Sequence, residues 1–221
     1  MTQINAKRTA RMAGVFFILA TVASVVAAVF LGPILAKPDY LTAISQNQNM
    51  VVFAVWSMLV AVVSILGIAI TLFPILRKQN ENLAIWFLCA RVFEAVFYMV
   101  AIVFLLSLLS LARTQTGSTE LAALLRSMSD VAFNMGTLIV FSLSAVLLGI
   151  ILYQSQLVPR WLSIWAIIGG LLLFVQGQLV VLDLSTASLE ASLFVPIALN
   201  EMVLAIWLLT KGFNQRALAK L

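Results

Sequence analysis

The sequence has no histidine and a single cysteine, Cys89. Without histidine the chain lacks the commonest general base and the commonest zinc ligand, and a histidine-ligated haem is excluded. One cysteine cannot form an intrachain disulfide, and because Cys89 lies inside an apolar run we interpret it as a small buried hydrophobe. The usual catalytic and metal constellations cannot be assembled, so we expect no catalytic residue, metal or cofactor.

Charged residues are also scarce, at 10% of the 221 residues, whereas hydrophobic residues make up 63%. Soluble domains are roughly half apolar, and a soluble fold does not cover this excess of apolar surface. The chain is long enough for several membrane spans, because a helix needs about 20 residues to cross a hydrocarbon core about 30 Å thick. The composition therefore predicts an all-α, polytopic membrane protein whose main partner is the lipid bilayer.

Six apolar runs are long enough to span a bilayer, and polar connections separate them. They cover residues 12–35, 50–76, 83–112, 131–153, 161–182 and 191–210. We expect residues 1–221 to form a single integral membrane domain, a bundle of about six transmembrane helices. The connection before the fourth run contains a predicted amphipathic helix at residues 119–129, which either lies on the membrane surface or caps the bundle.

Basic residues outnumber acidic ones by 13 to 8, which gives a formal charge of +5. They cluster near the ends of the apolar runs, where they set topology and contact anionic headgroups, so we expect no nucleic-acid partner. If the amino terminus is cytoplasmic, nine of them fall on the inner side and three, Lys37, Arg113 and Arg126, on the outer side. This asymmetry predicts that both termini are cytoplasmic.

The third apolar run carries two opposite charges in its interior, Arg91 and Glu94, which share one helix face. At 1.5 Å per residue they lie about 13 and about 18 Å from the inner end of that helix, and Glu201 of the sixth run lies about 15 Å from the same edge. The coincidence of depth predicts an Arg91–Glu201 ion pair between the third and sixth spans. Asn200 and Tyr98 are expected to complete or flank this polar layer.

Two interpretations of this charge cluster stay open. An arginine balanced by a carboxylate can simply lock two helices together, since its burial is offset by its partners. Alternatively, two carboxylates around one arginine leave a surplus negative charge, so that one carboxylate is protonated or holds a cation or polar ligand. Whether Arg91 pairs with Glu94, with Glu201 or with both is not decided by the sequence.

Other polar residues give weaker indications. Asn134 in the fourth run and Gln176 and Gln178 in the fifth lie at comparable depths and form a candidate polar vestibule. Hydrogen-bonded packing between helices is the alternative. Gly170 and Gly177 lie on one face of the fifth helix and favour close packing, either within the chain or between chains of an oligomer.

Four segments carry a resemblance to a known family: ARMAGVFFIL, RVFEAVFY, LVPRWLSIWAIIGG and FVPIALNEMVLAIWLLTKGF. In order and content they resemble the bacterial membrane family catalogued as domain of unknown function 4386. The residues that match its pattern are Arg91, Glu94, Pro159, Arg160, Pro196, Glu201, Trp207, Lys211 and Gly212. The resemblance implies a multi-pass protein of the bacterial inner membrane with about six spans, and it implies no established activity.

Three functions are compatible with these observations. The first is binding or transport of a small polar or amphipathic ligand, or of protons, at the Arg91, Glu94 and Glu201 cluster. The second is an intramembrane enzyme that acts on lipid-like substrates with a carboxylate as general acid or base. The third is an accessory membrane protein in which the cluster is purely structural. We expect binding or transport rather than catalysis.

Overall fold

The protein is described by a computed structural model, which covers residues 3–114 and 119–220 and contains only helices and turns in these ranges. The helices are α1 (Gln3–Leu35), α2 (Tyr40–Gln46), α3 (Gln48–Gln79), α4 (Glu81–Thr114), α5 (Thr119–Asn134), a π-helical segment (Met135–Val140), α6 (Phe141–Ser155), α7 (Arg160–Val181), α8 (Ala187–Thr210) and α9 (Gln215–Leu218). In the described ranges, six segments are long and apolar enough to cross a membrane. The predicted all-α bundle of six spans is confirmed.

The six spans follow one another around a ring. Each packs on the next, from α1 through α3, α4, the α5–α6 segment and α7 to α8, and α8 packs back on α1. Short turns impose this order: only Asn80 separates α3 from α4, and its side-chain oxygen accepts a hydrogen bond of 3.1 Å from the Leu83 N–H. The two ends of the chain lie on one face of the ring, because Ala10 and Ala217 share a core cluster. The side of the membrane that this face meets stays a prediction.

One continuous apolar core fills the half of the ring nearest the chain ends, which we call the terminal half. Large buried residues of this core come from all six spans; they include Phe17, Leu72, Phe87, Ile151, Leu162 and Leu208. Gly14 allows α1 and α8 to close the ring here, since a Cβ at this position would lie 2.8 Å from the Ala205 carbonyl oxygen. The terminal half is therefore tightly packed through to its centre.

The opposite half, which we call the distal half, has its core in two separate parts. The larger part joins α1, α2, α3, α4 and α5 through residues such as Ile44, Val51 and Ile102. The smaller part joins the π-helical segment, α6, α7 and α8 through Leu138, Phe141, Ala145, Leu173 and Ile197. The distal half thus lacks the continuous packing of the terminal half, and the space between its two parts is described below.

The fourth span begins earlier than its apolar run indicates. The predicted amphipathic helix is present as α5, but it continues without a break into the span, so the helical segment begins at Thr119 instead of near residue 131. Two of its polar residues contact the bundle: the Ser129 hydroxyl donates to the Ala101 carbonyl at 3.0 Å, and the Arg126 guanidinium donates to the Leu35 carbonyl. These contacts hold α5 against α4 and the end of α1, which the hydropathy of the sequence does not reveal.

The outside of the ring is strongly apolar. Trp56 and Trp86 are each about two-thirds exposed, and many exposed valines, leucines and isoleucines accompany them. Such a surface suits contact with lipid chains and would be unfavourable in water. Cys89 belongs to this outer surface, so the expectation that it is buried was wrong. Apolar residues near Cys89 in the sequence lie on the outer face of α4 as well as on its inner face.

Candidate functional site

Arg91 lies at the centre of the ring with a carboxylate on either side. Its Nη1 donates to Glu94 Oε2 at 3.2 Å, one helical turn further along α4, and its Nη2 donates to Glu201 Oε1 of α8 at 3.2 Å. The arginine is 2% exposed. The predicted Arg91–Glu201 ion pair is present, and Arg91 pairs with both carboxylates. Helix α4 packs mainly on α3, α5 and α6, whereas α8 packs on α1 and α7. The Arg91–Glu201 ion pair therefore links α4 to α8 across the interior of the ring.

Three phenylalanine rings surround the guanidinium of Arg91. The ring centroids of Phe141, Phe87 and Phe17 lie 5.0, 5.7 and 5.9 Å from its central carbon. These distances are typical of cation–π attraction, which strengthens when the groups are removed from water. This cage was not predicted from the sequence. The spacing of four residues between Phe87 and Arg91 could have indicated one ring, but nothing in the sequence aligns Phe17 and Phe141 with them.

A cavity of about 410 Å³ lies between the two parts of the distal core and ends at the Arg91 layer. All six spans contribute to its wall. Apolar lining residues include Ala20, Val25, Ala28, Ile65, Phe133, Leu138, Val180, Phe194 and Ala198, and the polar ones are Thr21, Ser24, Arg91, Glu94, Tyr98, Asn134, Thr137, Gln176, Glu190 and Glu201. Apolar walls with a few convergent polar groups are typical of small-molecule sites.

The cavity reaches the surface of the bundle between α1 and α8. Two of its lining residues are also among the exposed apolar residues of the exterior, Val25 of α1 at 55% and Phe194 of α8 at 43%. Glu190, in the first turn of α8, is exposed as well and lines the cavity about 16 Å along the helix from Glu201. The opening thus has an apolar side that faces lipid and an acidic residue at its distal end.

Two buried polar atoms in the cavity wall have no hydrogen-bond partner among the described residues: Oε1 of Gln176 and Nε of Arg91. Gln176 is 5% exposed and Arg91 is 2% exposed. An unsatisfied buried polar atom costs roughly 1–3 kcal/mol, so native proteins rarely keep one without a reason. Both atoms have almost no accessible surface, so a molecule in the cavity would contact them only after the side chain of Gln176 or Arg91 turned toward it.

Several residues predicted to belong to the site do line the cavity. Tyr98 lies within 3.3 Å of the Ser24 hydroxyl, so α4 and α1 are linked at the cavity wall. Asn134 and Gln176 both line the cavity. Asn134 directly precedes the π-helical segment, and such irregular turns within a helix frequently mark functional sites.

Two other predicted residues lie away from the cavity. The Asn200 side chain donates to the Leu162 carbonyl of α7 at 3.0 Å, so it joins α8 to α7 and does not complete the charged layer. One residue along a helix turns the side chain by about 100°, which directs neighbouring Asn200 and Glu201 to different helices. Gln178 is exposed and does not line the cavity, because it lies two residues from Gln176. The vestibule is therefore formed by Asn134 and Gln176 without Gln178.

The cluster has no metal-binding character in the residues described. No group of three or more Asp, Glu, Cys or His side chains suited to a metal ion occurs within residues 3–114 and 119–220. The side chains that line the cavity offer ion pairing, hydrogen bonding and aromatic contact, from three carboxylates, one guanidinium, two amides, several hydroxyl groups and several rings.

Comparison with known proteins gives one finding. Neither the curated proteins nor the solved structures contain a match to this chain. A protein-family model described as "Domain of unknown function (DUF4386)" matches residues 12–212, which include five of the six spans, the first span from residue 12 onward, the charged cluster and the cavity. The chain therefore belongs to the DUF4386 family of proteins.

Proposed function

We propose that this protein binds a small amphipathic molecule in the cavity beside Arg91 and so acts as a membrane-embedded binding or transport protein. The observation that carries the proposal is the cavity itself. Its volume of about 410 Å³ falls within the range of roughly 300–1,000 Å³ typical of small-molecule sites. Its lining combines apolar walls with charged groups, which matches a ligand that has both kinds of surface.

The polar end of the cavity supports binding further. Intramembrane charges are costly and usually serve a function, and here Glu94 and Glu201 flank a single guanidinium. The side chain of Gln176 lines the same space. A ligand with a polar head would satisfy these groups, while its apolar part would contact the walls near Val25 and Phe194.

The opening between α1 and α8 supports entry from the membrane. A hydrophobic molecule dissolved in the bilayer would meet the exposed side chains of Val25 and Phe194 before it reached the charged layer. In the terminal half the apolar core is continuous and joins all six spans. In this arrangement the ligand enters from the distal half, and transport would require the terminal core to separate.

A purely structural role for the cluster is the second candidate. The cage of Phe17, Phe87 and Phe141 and the two carboxylates satisfy much of Arg91, as expected of a fixed link between helices. This role explains the ion pairs but not the adjacent cavity or the unsatisfied Gln176 carbonyl. Catalysis by a carboxylate is less well supported, because Arg91 engages both Glu94 and Glu201.

Native mass spectrometry of the full chain, incubated with a polar-lipid and metabolite extract of bacterial membranes, tests the proposal. We expect a bound small molecule on the unsubstituted protein and its loss in Ala198→Trp, which fills the cavity. Val63→Trp is the matched control, because Val63 is 64% exposed on the outside of α3. Retention of the molecule by Ala198→Trp, or absence of any bound molecule on the unsubstituted and control proteins, would contradict the proposal.

A further inference from the structure

We infer that the ligand is an organic ammonium ion with an apolar body, and that Glu201 is its counter-ion. This inference rests on the proposed function, and it adds the charge of the ligand and the residue that recognises it. Two features of the cavity carry it, the balance of charge in its wall and the accessibility of Glu201, and the other lining residues are compatible with it.

The charge of the cavity wall favours a cation. Glu94, Glu190 and Glu201 line the cavity, and Arg91 is the only basic residue among the lining residues, so the ionised side chains leave a surplus of two negative charges. Both Nη atoms of Arg91 already donate to carboxylates, so its positive charge is shared between Glu94 and Glu201. An uncompensated carboxylate inside a membrane is costly, and a positively charged ligand would compensate it. An anionic ligand would add to the surplus.

Glu201 is the carboxylate that such a ligand can reach. Its side chain is 17% exposed, whereas that of Glu94 is 5% exposed. Arg91 binds Glu201 through Oε1 only, so Oε2 can accept a hydrogen bond from a second donor. Glu94 is held on the same helix as Arg91 and stays as its permanent partner, while Glu201 on α8 can bind the guanidinium and an ammonium together.

The remaining groups of the cavity match an ammonium with an apolar body. Gln176 lines the cavity, and rotation of its side-chain amide would turn the unpartnered carbonyl toward a primary ammonium, which carries three donors. The rings of Tyr98, Phe133 and Phe194 line the cavity and provide apolar contact and cation–π attraction. Glu190 at the distal end, being exposed, would attract cations toward the opening before they bind.

Three soluble probes of nearly equal size distinguish the effect of ligand charge on affinity from that of ligand shape. They are 2-phenylethylammonium, 2-phenylethanol and phenylacetate. Their binding to the full chain in detergent micelles or nanodiscs is measured by isothermal titration calorimetry. We expect the ammonium to bind at least about ten-fold more tightly than the alcohol, since a desolvated charge pair contributes about 1.4 kcal/mol or more. Phenylacetate should not bind measurably.

Variants of the acidic residues identify the counter-ion. Glu201→Gln should lower the affinity for the ammonium at least about ten-fold and leave that for the alcohol unchanged. Glu190→Gln, at an exposed position, should lower it about two- to three-fold because solvent screens that charge. Glu120→Gln is the control, since Glu120 is exposed in the first turn of α5 and does not line the cavity. If Glu201→Gln does not fold, Gln176→Leu tests the same pocket and should weaken ammonium binding.

The outcomes of these experiments distinguish the proposed binding function from the assignment of a cationic ligand. If the alcohol or phenylacetate binds as tightly as the ammonium, and Ala198→Trp abolishes that binding, the cavity is a binding site but the assignment of a cation is wrong. If Glu201→Gln folds and binds the ammonium normally, the assignment of the counter-ion is wrong. If none of the probes binds and membrane extract also leaves no molecule on the protein, the proposed function fails together with the inference.

Discussion

The two halves of the bundle are built from the same six spans but packed in different ways. In the terminal half the core is continuous from α1 to α8, and side chains such as Phe17, Leu72 and Ile151 fill the centre of the ring. In the distal half the core is divided in two, and a cavity of about 410 Å³ separates the parts. The charged layer of Arg91, Glu94 and Glu201 lies at the boundary between them.

The difference shows why the charges occupy this depth. A buried ion pair contributes little to stability by itself, because the cost of desolvation offsets its electrostatic attraction. The well-packed terminal half would not need such a pair. At the boundary the same pair connects α4 to α8 across a space that apolar side chains do not fill. The cluster thus connects two helices where the cavity interrupts the apolar core, and its side chains form the polar end of that cavity.

The largest effect should come from removing Arg91. Arg91→Met leaves Glu94 and Glu201 buried without a cation, and breaking such a pair costs about 3–5 kcal/mol. We expect this loss in equilibrium unfolding of the protein in mixed micelles of a mild detergent and sodium dodecyl sulfate. The triple variant Arg91→Met, Glu94→Gln, Glu201→Gln is the control and should recover most of the stability, because no uncompensated charge remains. Equal instability of the single and triple variants would show that charge balance is not what the cluster provides.

A smaller effect should distinguish the two halves of the bundle. It is the loss of stability when Ala198, in the distal half, or Ala205, in the terminal half, is replaced by leucine. They lie seven residues apart on α8, about two turns, and so share a face. Ala205 is completely buried in the terminal core, whereas Ala198 lines the cavity. Ala205→Leu should cost about 1–3 kcal/mol by overpacking, while Ala198→Leu should cost less than about 0.5 kcal/mol. The same micelle unfolding measures both, and equal costs would contradict the division of the bundle into a packed and an open half.

A still smaller difference in stability is expected between substitutions of two buried side-chain amides, those of Asn200 and Gln176. The Asn200 side chain donates to the Leu162 carbonyl, so Asn200→Ala should cost about 1 kcal/mol and leave binding in the cavity intact. The Gln176 carbonyl has no partner among the described residues, so Gln176→Leu should leave stability unchanged or raise it. It should nevertheless weaken binding of 2-phenylethylammonium in calorimetry. Loss of stability in Gln176→Leu as large as in Asn200→Ala would show that Gln176 is a packing residue.

Much of the fold and part of the site could be predicted from the sequence. Hydropathy and length identify the six spans, and helical rise places Arg91 and Glu201 at one depth, which is enough to predict their pairing. The direction in which each side chain points was not predictable for Asn200 and Gln178, because in an almost uniformly apolar helix no periodic pattern distinguishes the inside from the lipid side. The same uniformity concealed the exposure of Cys89.

The cavity could not be predicted at all. It results from the way in which the distal core divides between α1–α5 and α6–α8, and this depends on packing between helices that are far apart in the sequence. The phenylalanine cage has the same origin, since Phe17 and Phe141 reach Arg91 only once the ring is closed. Sequence reasoning thus predicts the charged pair, and the structure adds the space beside it.

The most direct test of the open distal half is the rate of thiol modification at Ala198 and Ala205. In a Cys89→Ser background, which removes the only native thiol, Ala198→Cys and Ala205→Cys are each treated with a small methanethiosulfonate reagent in nanodiscs. The division of the bundle predicts that Ala198→Cys reacts at least about ten-fold faster than Ala205→Cys, since one lines the cavity and the other is enclosed in the terminal core. Equal rates at the two positions would contradict it.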